Sequence, residues 1–331
     1  MRSSSVEGGP EAIGFEAARL RFLPILEERL MASVEGQGIL FEAARYHLET
    51  GGKRLRGLLP PWIVANLGAD PAIAYDLGAA FELIHNGTLV HDDVQDGDTH
   101  RRGRPTVWAR FGMPQAVNVG TTLLFLGMAH VLRTARGADI IGDVNLAILD
   151  IVAGQALEFE LQTHPSPTTA MWDRMSTGKT GALFSACFLA SAHLAGRPTV
   201  EVARARTYGA QLGLFFQLQD DLLDLIGDKQ RDVPATDIAE GKISWPVAWA
   251  AERAATRPDA VARLLAIIRL PRAETTPELI GEALGILHDV GAIAAGLGRV
   301  RALADELEGH PTNAAVPGLV ERVLDPIRHA L

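Results

Sequence analysis

Residues 181–196, GALFSACFLASAHLAG, carry no Asp, Glu, Lys or Arg and are apolar on nearly every side of a helical projection. A helix of that kind sits at the centre of a large bundle, because a surface helix keeps one polar face. Outward from it, the long segments repeat apolar residues at three- and four-residue intervals rather than alternating, which is the helical period. The spacing predicts helices over 12–32, 37–49, 55–68, 71–95, 115–136, 140–162, 168–195, 200–226, 243–256, 259–269, 277–293, 295–308 and 316–330. Breakers separate them at Gly51-Gly52, Gly68 to Pro71, Gly97 to Pro105, Pro165, Pro167, Gly196 to Pro198 and Pro271. No Pro/Ser/Gly linker and no fixed-period repeat divides the chain. The expectation is an all-α protein, one large single-domain helical bundle over residues 1–331, with 1–11 as a mobile N-terminal tail.

At roughly 150 residues per domain, 331 residues allow one large domain or two ordinary ones. With 47 % apolar and 21 % charged residues the chain has the material for a core, which excludes a disordered or fibrous class. The net charge of −9 argues against a nucleic-acid partner, since phosphate contacts need a basic surface. An anionic ligand must then be held by a local cationic cluster or by metal ions. A single cysteine, Cys187, excludes an internal disulfide and a cysteine-based zinc site, and favours a reducing, cytoplasmic setting. The opening MRSSSVEGGPEA lacks the apolar core of a secretory signal. Phe111 to Leu132 contains no Asp, Glu, Lys or Arg and matches a membrane span in length, but it includes Pro114, Gln115, Asn118, Thr121 and Thr122. It is read as a buried helix, and no membrane span is expected.

A polar cluster inside such a bundle is expensive unless it binds something, so acidic residues within the apolar helices are where function is sought. Two segments share one pattern, D-D-x-x-D: Asp92-Asp93 with Asp96, and Asp220-Asp221 with Asp224. On a helix the first and last Asp share a face, and like charges at that spacing repel. Hard oxygen ligands so grouped suit Mg²⁺, which binds one or two carboxylates plus substrate phosphates and keeps several waters. One such cluster is as readily a solvated helix face. Two of them, each at the end of an apolar helical run (Ala79 to Val90, Leu212 to Leu218), can grip a diphosphate through bridging metal ions.

Cations occur where that site needs them. Gly51-Gly52-Lys53-Arg54-Leu55-Arg56-Gly57 opens a helix, an arrangement that binds anions, although taken alone it is also what a flexible basic loop looks like. Arg101, Arg102 and Arg104 follow the first acid cluster, and Lys179 and Lys242 add charge. Competing motifs fail. Gly178-Lys179-Thr180 resembles the end of a phosphate-binding P-loop, but its first Gly would fall on Asp173 and no strand precedes it. An EF-hand starting at Asp92 would place Val94 and Gly103 at ligand positions. Glu82 and His85 have the E-x-x-H spacing of helical di-iron sites, without the second copy such sites require.

From Gly51 to Trp249 the chain resembles the trans-isoprenyl diphosphate synthases, through GGKRLRG, ELIHNGTLVHDDVQD, RRGRPTVW, GKTGALF, FFQLQDDLLD and TDIAEGKISWP in order. The resemblance implies the isoprenoid synthase fold, a helical bundle around a central cavity. It implies a head-to-tail prenyltransferase that joins isopentenyl diphosphate to an allylic diphosphate. The implied cofactor is Mg²⁺, three ions per site, with Asp92, Asp96 and Asp220 as direct ligands and Asp93, Asp221 and Asp224 in direct or water-mediated support. Lys53, Arg56, His85 and Arg102 would bind isopentenyl diphosphate, while Arg101, Lys179 and Lys242 would hold the allylic diphosphate. Thr180, Gln217 and Phe216 would surround the reacting centre. A homodimer is implied too, for which apolar helices such as 115–136 are the candidates.

Two positions depart from the family pattern. Val233 stands where relatives carry a Lys, with Lys229 and Arg231 the nearest substitutes, and Thr121 follows Gly120 where many have Asp. Counting back from Asp92, Thr88, Ile84 and Phe81 fall on one helical face with Gly87 on its flank. Thr88 and Gly87 are small enough to let a prenyl tail pass. Phe81, about 16 Å up the axis, is placed to be the pocket floor, which makes geranylgeranyl diphosphate the expected product. Farnesyl or longer products, a class I terpene cyclase and a non-catalytic regulatory subunit are the alternatives. A cyclase needs no isopentenyl site, and a regulatory subunit needs no intact pair of acid clusters.

Overall fold

The computed structural model describes residues 12–227 and 235–331. The expected tail, 1–11, and the departure at Val233 with its neighbours Lys229 and Arg231 lie outside the described residues. The helices are Phe15–Ser33 (α1), Ile39–Leu48 (α2), Leu55–Asn66 (α3), Tyr75–Gln95 (α4), Val107–Phe111 (α5), Met113–Arg133 (α6), Gly137–Thr163 (α7) and Thr169–Ser176 (α8). They continue as Ala182–Leu194 (α9), Thr199–Ile226 (α10), Thr236–Ala239 (α11), Trp245–Ala251 (α12), Pro258–Ile268 (α13), Pro277–Asp289 (α14), Ala292–Glu308 (α15) and Leu319–Leu324 (α16). The chain is all-α, as its apolar period indicates.

Helix α9 holds the centre. Only its Ser185 and His193 escape full burial, and it packs against α3, α7 and α10. Phe184 and Phe188 from α9, Trp62 from α3, Phe81 from α4, Trp172 from α8 and Phe215 from α10 are among the largest fully buried side chains. A single apolar cluster runs from Ala18 to Ile327. Close approach at the functional end depends on missing side chains. A Cβ at Gly154 on α7 would stand 2.2 Å from the Lys179 nitrogen, and one at Gly213 on α10 would stand 2.5 Å from Gly181.

The structure refines several expected boundaries. The predicted helix 168–195 is three pieces, because a π-turn at Thr177–Gly181 interrupts it. The widened turn re-aims Lys179 and Thr180, and such turns recur at functional sites. The run read only as a breaker, Gly97 to Pro105, folds into a hairpin pairing His100–Arg101 (β1) with Arg104–Pro105 (β2). Its turn residues Arg102 and Gly103 both have positive φ, as a tight hairpin turn requires. Residues 316–330 hold α16 and then a 3₁₀ segment from Asp325, where Pro326 cannot continue the hydrogen-bond ladder.

The reading of 111–132 as one buried helix is corrected. It breaks at Gly112, and α6 buries one face on α4 while presenting Val117, Phe125 and Leu132 to solvent. Thr121 lies on that outward stripe. Helix α7 similarly exposes Leu149, Val152 and Phe159. By length and composition both helices could cross a membrane, and each buries only a minority of its apolar window within the chain.

Candidate active site

The N-terminal ends of α3 and α9 and the C-terminal ends of α4 and α10 meet at one end of the bundle, and the sequence-predicted groups gather there. The basic loop before α3 is anchored by Arg54, which is left-handed at φ 50° and buried. Its guanidinium donates to Glu27 at 2.9 Å and to the Leu48 carbonyl at 2.5 Å, and faces Glu82 at 3.5 Å. Glu82 also accepts from the Gly57 nitrogen at 3.0 Å and from Asn86 at 3.1 Å. Asn86 in turn contacts His47 at 3.1 Å. Glu82 is therefore a clamp between α3 and α4, which accounts for its E-x-x-H spacing without a metal.

Arg56 differs from its neighbour. Its Nη1 lies 3.2 Å from His85 Nε2, its guanidinium rests 4.6 Å over the Phe184 ring, and its Nε is buried without a hydrogen-bond partner. Burial pulls Arg56 below its ordinary value. Burial together with Arg56, Arg102 and Arg101 holds His85 well below the usual imidazole range. A buried cation with no carboxylate on it needs an anion. Arg102, at positive φ on the hairpin turn, donates to the Gly51 carbonyl, so it lies over the same loop. Lys53 is exposed beside them.

The first acid cluster splits by role. Asp93 is buried, accepts from Arg101 Nε at 2.6 Å and has its other oxygen unpartnered; burial raises it to about 6 despite that arginine. Among the described residues nothing donates a hydrogen bond to the Asp92 carboxylate, while its carbonyl accepts from the Asp96 nitrogen at 2.8 Å. Burial raises it, Lys179 opposes this, and Asp96 and Glu158 add repulsion. Lys179 is ion-paired to Glu158 of α7. Burial works against that ammonium, yet Glu158 and Asp92 hold it above its ordinary value. Asp96 meets Lys242 at 3.1 Å, and Lys242 also reaches Glu240 at 2.9 Å.

In the second cluster Asp221 and Asp224 are engaged by protein donors. Asp221 accepts from Trp172 Nε1 at 2.9 Å, the Trp245 nitrogen at 2.9 Å and Gln217 Nε2 at 3.0 Å. Gln217 thereby turns its carbonyl toward Thr180, whose hydroxyl donates to it at 2.8 Å. Asp224 accepts from Thr236 Oγ1 and from the Asp237 nitrogen, both at 2.9 Å. Asp220, half-exposed at the same helix end, is also in contact with charged or polar neighbours. Phe216, next to Gln217, sits 5.9 Å from Phe184. Among the described residues the three non-glycine positions with positive φ, Arg54, Arg102 and Ala235, all lie at this end. Ala235 donates its nitrogen to the Asp224 carbonyl at 2.8 Å. Strained backbone of this kind concentrates at functional sites.

Among the described residues no three metal-binding side chains form a ready-made cage. What is present is Asp92, desolvated and without a hydrogen-bond donor, close to Asp96. Carboxylates in that condition fit Mg²⁺ completed by substrate phosphates and water. Residues the sequence reading passed over are Glu158, Asp237 and Glu240. Glu158 carried a signal, an acid inside an apolar helix; Asp237 and Glu240 lie within TDIAEGK, with no pattern of their own.

The four positions considered for chain length divide as well. Phe81 and Ile84 are fully buried. Ile84 packs on Gly127 of α6, and a Cβ at Gly87 would stand 2.8 Å from the Gly120 carbonyl. The α4–α6 seam therefore requires a residue without a side chain at Gly87. Thr88 gives its hydroxyl to the His85 carbonyl at 2.8 Å, so no polar head is left for an apolar tail to meet.

The sequence model of the polyprenyl synthetase family matches residues 37–286. A short chain isoprenyl diphosphate synthase of Methanothermobacter thermautotrophicus is 31 % identical over 87 % of this chain and 90 % of its own. A geranylgeranyl diphosphate synthase of Mycobacterium tuberculosis is 34 % identical over 70 % of this chain and 66 % of its own. The crystal structure of a geranylgeranyl pyrophosphate synthetase from Pyrococcus horikoshii superposes with TM-score 0.84 at 26 % identity, over 94 % of this chain and 98 % of that one.

Proposed function

The chain belongs to the polyprenyl synthetase family and is a trans-prenyltransferase, and we propose that it joins isopentenyl diphosphate to an allylic diphosphate with geranylgeranyl diphosphate as its main product. The observation that supports the reading is that its candidate anion-binding side chains form two groups. Arg56, His85 and Arg102, with Lys53 at the rim, make up one proposed anion site, and among the described residues no carboxylate is paired to Arg56. Arg101, Lys179 and Lys242 are the other, each beside an acid of the clusters or of α7. Two separate anion sites suit two diphosphates, whereas a cyclase acting on one allylic diphosphate needs only the second.

In this reading Asp92, Asp96 and Asp220 hold Mg²⁺, three ions per site, and Asp93, Asp221 and Asp224 fix Arg101, Gln217 and the 235–237 turn around them. Mg²⁺ held there would supply Lewis-acid neutralisation of the charge that builds on the departing diphosphate. Lys179, Lys242 and Arg101 add fixed positive charge at the same place. As the allylic C–O bond breaks, its electron pair leaves with the diphosphate and an allylic cation remains. Thr180 and the Gln217 carbonyl, oriented by Asp221, supply acceptor dipoles beside that cation, and the rings of Phe216 and Phe184 keep water from it. The double bond of isopentenyl diphosphate, held by Arg56 and its neighbours, attacks the cation to form the new C–C bond. A proton then leaves to the departing diphosphate, and the chain is five carbons longer.

Phe81 is the proposed floor of the tail pocket, and the geranylgeranyl products named for two of the relatives agree with its depth. The outward apolar stripes of α6 and α7 are proposed to be covered by a second copy of the chain, as a homodimer. A cytoplasmic location goes with this reading. The test is incubation of purified protein with Mg²⁺, isopentenyl diphosphate and, separately, dimethylallyl, geranyl and farnesyl diphosphates, with products sized by mass spectrometry. A series ending at twenty carbons is expected. Cyclic hydrocarbon without isopentenyl diphosphate would replace the synthase with a cyclase, and silence from the chain alone would point to a regulatory subunit.

A further inference from the structure

At the opposite end of the bundle a cavity of about 340 Å³ opens between the end of α3, the α9–α10 turn and the 3₁₀ segment Pro311–Ala315. That volume is at the lower end of the range for small-molecule sites. Its inner wall is apolar, from Ile63, Ala192 and Ala205, and its mouth is charged, from Arg197, Glu201 and Arg204. The walls are pre-formed. Asn66 donates to the carbonyls of Ile13 at 3.0 Å and Ala315 at 3.1 Å, tying both ends of the chain to the rim. Tyr208 donates to Asn313 at 2.9 Å and stacks on His310, which anchors the 3₁₀ segment.

Charge at the mouth is uneven. Arg197 satisfies Glu201 at 2.6 Å, while Arg204 is exposed and has no ion pair or hydrogen bond among the described residues. The rim therefore keeps one uncompensated guanidinium above an apolar floor, in a chain whose net charge is −9. Arg204 and Asp220 are sixteen residues apart on α10, about 24 Å along its axis, so this cavity is separate from the diphosphate end.

We infer that this cavity is a second, metal-independent binding site for a small amphipathic anion, with a short apolar body on Ile63, Ala192 and Ala205 and an anionic head on Arg204 and Arg197. The apolar wall excludes a free inorganic anion as the preferred ligand, and the guanidinium pair disfavours a neutral hydrocarbon. Prenyl diphosphates have this form, as do short fatty carboxylates, and the two sources are told apart by titration.

The experiment is calorimetry of the full chain and of its Arg204→Glu variant in EDTA, which silences the magnesium-dependent site; binding that the variant retains belongs to the Arg56 site and is subtracted. Geranyl diphosphate, octanoate, inorganic diphosphate and geraniol are titrated separately. Binding of geranyl diphosphate or octanoate with one site per chain, at least tenfold tighter than inorganic diphosphate or geraniol, is expected. Which of the two binds more tightly identifies the head group. Arg204→Glu, at an exposed position, and Ala314→Trp, which fills the cavity from its exposed rim, should each weaken binding at least tenfold, whereas Asp92→Asn should leave it intact. Equal binding by Arg204→Glu and wild type, equal binding of inorganic diphosphate, or no binding at millimolar concentration would overturn the inference. Prenyl transfer with Mg²⁺ and isopentenyl diphosphate is assayed on the same samples, so failure of the cavity and failure of the proposed reaction are read separately.

Discussion

The ammonium of Lys242 stands 3.1 Å from Oδ2 of Asp96, joining the end of α4 to a loop 146 residues later. Before any metal arrives, a lysine thus neutralises one of the carboxylates assigned to it, and Mg²⁺ must compete with that ammonium. Asp96→Asn should lower kcat/KM about a thousandfold, equivalent to about 4 kcal/mol of lost transition-state stabilisation. Asp98 makes a comparable surface pair with Arg272 at 3.1 Å and serves as control. Asp98→Asn should stay within about threefold, as exposed ion pairs contribute little. EDTA should abolish turnover and added Mg²⁺ restore it; equal losses in the two variants would remove Asp96 from the metal site.

Gln217 is held from both sides, by Thr180 on its carbonyl and by Asp221 on its amide. Asp221→Asn leaves one acceptor facing two N–H donors and opposes two amide groups, in a position that is nearly closed to water. A broken buried network of this sort costs about 3 kcal/mol. The variant should lose several degrees of Tm together with kcat, whereas Gln217→Leu, which removes one bond each from Asp221 and Thr180, should lose kcat about a hundredfold with a smaller loss of Tm. A Gln217→Leu enzyme of normal kcat would show that the carbonyl does not face the reacting carbon.

What could be read from the sequence was local. The two acid clusters and the basic loop carry their geometry in their own spacing, and α9 shows its central place in sixteen residues without Asp, Glu, Lys or Arg. Arg54 and Arg56 show the limit. They are two residues apart, yet α3 begins between them, so Arg54 turns into Glu27 and Glu82 while Arg56 faces His85. No composition or period separates those outcomes. The Lys179–Glu158 pair and the Lys242–Asp96 pair are equally hidden, because both are made by packing between helices distant in sequence. The smallness of Gly87 was legible, but the Gly120 carbonyl that requires it was not.

Phe81 is eleven residues before Asp92 and fully buried on α4. If it closes the tail pocket, Phe81→Ala should shift the longest abundant product beyond twenty carbons. Phe→Ala in a core costs about 3–5 kcal/mol, so the product assay is run below the lowered Tm. Unchanged products from a folded variant would place the floor elsewhere.

His47 sets a pH dependence of stability. Burial, then Arg101 and Arg102, push it down to about 3, with Asn86 opposing. In the unfolded chain the imidazole takes a proton below about pH 6.5, and in the folded chain it does so only near 3. The unfolded state therefore binds more protons within that window, so stability is complete above it and falls as the pH drops. Between pH 6.5 and 5 the loss is about 2 kcal/mol. His47→Gln keeps a side-chain amide beside Asn86 and should flatten the difference between urea unfolding at pH 7 and pH 5. Equal losses in variant and wild type would assign the acid sensitivity to other groups.

The outward faces of α6 and α7 leave Phe125 66 % exposed and Val152 60 % exposed. Scattered apolar residues need no partner, but outward apolar residues repeated along two adjacent helices are the kind of surface that marks an interaction site. A stable pair of copies would bury about 800 Å² on each. Light scattering after gel filtration should give twice the chain mass for wild type and the single mass for Phe125→Glu, with a circular dichroism spectrum unchanged. The carboxylate would be stranded at the centre of the covered stripe, where burying an unpaired charge outweighs the contacts around it. A single chain mass for wild type, together with flotation on phospholipid vesicles, would mean that lipid covers these helices instead.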